Sequence, residues 1–114
     1  MSYFIPPFEV DTPLMPEPVR VRFVHLHSAI ATRHSDTIDC IFRVGGRQVT
    51  VAISCAALAE VGKHENQHFS DQQLAEMAAC FLRRTLEQGY DVADAGLLLG
   101  EPQLRQVARE LGYL

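Results

Sequence analysis

The chain has no run close to the ~20 consecutive apolar residues of a membrane span, which argues against an integral membrane protein. Its start, Met1-Ser2-Tyr3-Phe4-Ile5-Pro6-Pro7, lacks the basic region and unbroken apolar core of a secretory signal. No CxxC pair occurs. Cys40, Cys55 and Cys80 form an odd set, each inside an apolar pattern where a reduced thiol behaves as a small hydrophobe. The expectation is a reducing, cytoplasmic setting. There is no glycine-rich phosphate loop and no G-x-S-x-G turn. Net charge is −4, which argues against a general attraction to nucleic acid or to anionic membranes. What remains is an ordinary globular composition, 47% hydrophobic over 114 residues, enough for one core and too little for two.

Residues 1–18 hold five of the six prolines, and proline both fixes φ and removes a backbone donor. An extended N-terminal arm follows. Tyr3, Phe4, Ile5, Phe8, Leu14 and Met15 make it too apolar for a solvated tail, so it packs on its own domain or reaches across to a second copy.

From Val19 to Ala31 the pattern is that of a strand, with Arg20 and Arg22 alternating with Val19, Val21 and Phe23. The phase changes at Val24, where a bulge or burial of both faces would account for it. Thr32 to Asp36 reads as a polar connection. Thr37–Val44 and Arg47–Ile53 flank Gly45-Gly46, which suits a type I′ hairpin. That turn pairs Val44 with Arg47, and so Phe42 with Val49, Cys40 with Val51 and Ile38 with Ile53 on an apolar face.

Ser54 is placed to cap a short helix from Cys55 to about Val61, stopped by Gly62. Ser70-Asp71-Gln72-Gln73 has the form of a capping box opening a helix over 71–88, closed by Gly89. Asp91 to Gly100 is ambiguous, though Leu97, Leu98 and Leu99 are expected to be at least partly buried. A last helix over 102–111 opens on Pro102 and ends at Gly112. The expected architecture is one α+β domain over 19–114: a three-stranded antiparallel meander with its hairpin at Gly45-Gly46 and two to three helices packed on one face.

His64-Glu65-Asn66-Gln67-His68 resembles the HExxH motif of zinc hydrolases. The resemblance covers five residues and implies His64 and His68 as zinc ligands and Glu65 as general base. Glu87 has the spacing of a third ligand in some members of that class. A helix beginning at Ser70 would carry Glu87 roughly 24 Å away, and a zinc ligand must approach within about 2 Å. The motif therefore reads first as a coincidence in a surface loop. His25 and His27 form a second histidine pair that could join His64 and His68 around a metal. Arg20, Arg22 and Arg43, with Arg47 as a further candidate, could share an exposed sheet face and bind an anion, against the plainer reading of a solvated face.

No enzyme constellation survives this geometry. The leading expectation is a non-catalytic interaction or accessory module that needs no cofactor and pairs with a protein partner or with itself through the arm. A zinc-dependent hydrolase using His64, Glu65 and His68 is the alternative, and an anion or nucleic-acid binder through Arg20, Arg22 and Arg43 is the third.

Overall fold

A computed structural model of the chain describes residues 5–29, 36–90, 92 and 96–114. In chain order the elements are β1 (Phe8–Val10), β2 (Val19–Ala29), β3 (Thr37–Val44), β4 (Arg47–Ser54), α1 (Cys55–Glu65), α2 (Asp71–Glu87), β5 (Leu97–Leu99) and α3 (Glu101–Glu110). Most of the anticipated Thr32–Asp36 connection lies outside the described residues. No helix among the described residues is long and apolar enough to cross a membrane.

The β3–β4 hairpin forms as its turn dictates. Gly45 and Gly46 take φ of 57° and 91°, the two positive angles a type I′ turn needs. Val44 faces Arg47, Phe42 faces Val49, Cys40 faces Val51 and Ile38 faces Ile53. Pairing between β2 and β3 slips between Phe23 and His25, so Val24 is the extra residue that reverses the side-chain phase.

The three-stranded antiparallel sheet expected from the sequence is incorrect in both strand count and polarity. The sheet has five strands in the order β1-β2-β3-β4-β5, and it is mixed because β5 runs parallel to β4. β1 comes from the proline-rich arm: between Pro7 and Pro13 the chain is free to pair, and Phe8–Val10 lies antiparallel to Val19–Val21 at the sheet edge, where neighbouring prolines do least harm. β5 runs parallel because α1 and α2 separate it from β4, and such a crossover returns the chain to the same end of the sheet.

The three helices share one sheet face. Val21, Phe42, Val51, Ile53 and Leu99 from the strands pack with Val61 of α1, Leu74, Met77 and Leu82 of α2, and Leu104 and Val107 of α3. Burying each such side chain is worth ~1.5–3 kcal/mol, so this layer holds the fold together. Ser70 accepts from the Gln73 N–H while Gln73 accepts from the Ser70 N–H, completing the capping box of α2. At its other end the Gly89 N–H bonds Leu86 O and the Tyr90 N–H bonds Thr85 O, a Schellman closure. Helix α1 does not stop at Gly62. It continues to Glu65 and ends on Asn66 in the left-handed region, φ 52°.

Candidate functional site

The end of α1 separates the HExxH residues. His64 and Glu65 lie in its last turn, whereas His68 follows the left-handed Asn66 and is off the helix. The i, i+4 geometry of two imidazoles on one helical face is therefore absent. Their polar partners also differ: His64 Nε2 lies 3.4 Å from Glu60 Oε2, and Glu65 Oε1 accepts from Arg105 Nη1 at 2.9 Å. Glu65 thus ties α1 to α3. Glu87 sits at the far end of α2, which begins only after His68. His25 and His27 do face together, their rings stacked with centroids 5.1 Å apart, and His27 Nε2 is 3.9 Å from Asp39 Oδ2. Among the described residues no three His, Cys, Asp or Glu side chains are grouped to hold a metal.

Cys40 and Cys55 offer little nucleophilic chemistry. Burial, with Asp39 and Asp71 adding to it, pushes Cys40 up to about 12. Burial and then Asp36 raise Cys55 as well. Ser54 caps α1, its Oγ accepting from the Ala57 N–H at 3.2 Å.

The sheet face away from the helices gathers the arginines. The β2–β3 register sets Arg22 directly opposite Arg43, with Arg20 two residues along the same face. All three are exposed, and Arg43 Nη1 donates to Gly46 O at 3.1 Å. Arg47 is not part of this group. It pairs with Val44, whose side chain is buried on the helix side, and Arg47 instead lines a cleft there.

That cleft, of about 450 Å³, opens between the hairpin turn, the end of α2 and the loop after β1. Its wall is mostly apolar, including Val19, Val49, Leu86 and Val92, with Leu14, Met15 and Tyr90 at the rim. Thr12 shapes the loop: its buried Oγ1 accepts from the Leu14 N–H at 3.3 Å, and its carbonyl accepts from the Met15 N–H at 3.2 Å. The turn leaves Leu14 54%, Met15 56% and Tyr90 62% exposed. The apolar character of Leu14 and Met15 is visible in the sequence, but their meeting with Tyr90 depends on the arm folding back past Gly89. No family model, curated protein or solved structure matches the chain.

Proposed function

We propose that the chain is a non-catalytic interaction module that pairs with a second copy through its N-terminal arm. The observation carrying this reading is the concentration of exposed Leu14, Met15 and Tyr90 around one apolar cleft. An apolar protrusion beside an apolar recess is self-complementary. A two-fold axis through it would let each copy bury Leu14 and Met15 in the other's cleft, the isologous arrangement of most dimers. Such burial supplies the non-directional drive of association, and Arg47 at the rim leaves a polar margin. Three unpaired cysteines support a cytoplasmic setting for such a module.

Light scattering of the full chain over a concentration series tests the reading. The wild type should shift from one copy to two, and Leu14→Glu with Met15→Glu should remain single with its circular dichroism unchanged. A wild type that stays monomeric at every concentration defeats the proposal.

A further inference from the structure

Strand β2 is longer than what lies beside it. On one side it pairs with β3 from Val21 to Ala29, but on the other β1 covers only Val19–Val21. Among the described residues no strand pairs with that second edge from Arg22 onward. Its backbone donors and acceptors form a template for an added strand.

The arm shows what this edge accepts. Glu9 of β1 sits in register with Arg20, an acid facing a guanidinium across the ladder. The arm cannot continue that pattern, because Pro7 and Pro6 come next and neither carries an N–H. Instead the chain turns toward α2, where Ile5 and Phe8 line a groove with Cys80 and Arg83. Beyond the departure point the outward side chains are Arg22, with Arg43 opposite it, and then His25 and His27. Like charges directly across a ladder oppose each other, so the Arg22–Arg43 pair is an interaction the fold itself leaves unfavourable. On the inward side Phe23 and Leu26 are only partly buried. The local sign runs against the whole chain: residues 19–54 hold five arginines against Asp36 and Asp39, within a total of −4.

We infer that the edge of β2 from Arg22 to His27, unpaired among the described residues, binds an acidic, extended segment of a partner protein as an added antiparallel strand. Carboxylates of the segment face Arg22 across the new ladder, with Arg43 one strand further on adding positive charge to the same face, and its alternate apolar residues cover Phe23 and Leu26. Backbone hydrogen bonds supply affinity and the alternating side chains supply selectivity, as in other strand additions. A second copy of the chain is the wrong occupant, because β2 against β2 would bring arginine and histidine toward arginine and histidine. The positive charge at the edge also disfavours such self-pairing. This surface is separate from the arm cleft, and the inference does not depend on pairing there.

Fluorescence polarisation with a labelled, end-capped peptide of alternating Val and Glu tests it on the full chain. The peptide should bind, with affinity falling as salt rises. Arg22→Glu combined with Arg43→Glu should weaken it roughly tenfold, the attractive cross-strand pair at Arg22 having become repulsive and the positive charge of Arg43 one strand further on having been reversed. Both side chains are exposed, so the variant should keep the wild-type urea midpoint. Leu14→Glu should leave peptide affinity unchanged, which separates this result from the fate of the dimer reading. Equal binding of a peptide with Lys for Glu, or of one N-methylated on its pairing edge, overturns the inference. So does displacement of the peptide by oligothymidylate at comparable concentration, which would make the face a general polyanion site.

Discussion

Leu98 and Leu99 are chain neighbours with opposite fates. In β5 they face Ala52 and Ile53 of β4, and successive side chains of a strand point to opposite sides. Leu99 is 0% exposed, in the helix-covered core, whereas Leu98 is 61% exposed on the opposite face. Truncating a buried leucine to alanine costs ~2–5 kcal/mol through lost transfer energy and the cavity left behind. Truncating an exposed one usually changes stability by no more than about 0.5 kcal/mol. A small domain unfolds in urea with a slope of ~1–3 kcal/mol per molar, so Leu99→Ala should lower the midpoint by roughly 1–2 M. Leu98→Ala should leave the midpoint nearly in place. Equilibrium urea unfolding followed by far-ultraviolet circular dichroism reads both variants directly. A one-residue slip of β5 would exchange the two side chains between faces. A larger loss for Leu98→Ala would therefore refute the register that turns Leu99 toward the helices.

The glycines at two chain reversals should behave differently. Gly46 has φ 91° and open space within 4 Å of where a Cβ would stand, so Gly46→Ala should cost only the backbone penalty of ~1–2 kcal/mol. Gly89 has φ 84°, and an added Cβ would sit 2.8 Å from Pro13 Cγ, so Gly89→Ala should cost clearly more in the same unfolding assay; equal costs would mean that the arm loop does not pack there. Cys40 makes stability depend on alkaline pH. Because its folded-state value is raised from 9.0 to about 12, its protonated thiol stabilises fully below 9, and that contribution is lost as pH rises toward 12. Above pH 9 the stability of the wild type should fall more steeply than that of Cys40→Ala, by at most ~1.4 kcal/mol per pH unit, and parallel slopes would contradict the assignment.

Local chemistry explains why some of this structure can be read from residues alone. Gly45-Gly46 leaves one tight reversal, so the whole β3–β4 register follows from two positive φ angles. Ser70 and Gln73 satisfy each other's backbone groups, which marks the start of α2 without reference to the rest of the fold. The change of phase at Val24 is legible for the same reason, since a bulge alters the alternation where it occurs. Gly62 misleads because its conformational cost of roughly 0.5–1 kcal/mol is outweighed by tertiary packing: Val61 is buried in the core, and the chain closes on Gly62 O from both Asn66 and Gln67.

Strands β1 and β5 are hidden from sequence for a different reason. Each has three residues, too few to display a period, and each is selected by a neighbour remote in sequence. Leu97-Leu98-Leu99 has no alternation to reveal that its middle member faces outward; only the position of Ala52 and Ile53 decides that. The candidate surfaces inherit the same dependence. Leu14 and Met15 become a rim because the arm returns past Gly89, and the outward charge of Arg22 stands beside an edge that is unpaired among the described residues because Pro6 and Pro7 end the pairing at Phe8. Both surfaces therefore follow from where a short arm joins and leaves a sheet. Changing Pro7 to a residue with an N–H would extend the ladder toward Arg22 and compete with the proposed acidic strand, linking the arm's chemistry to the availability of that edge.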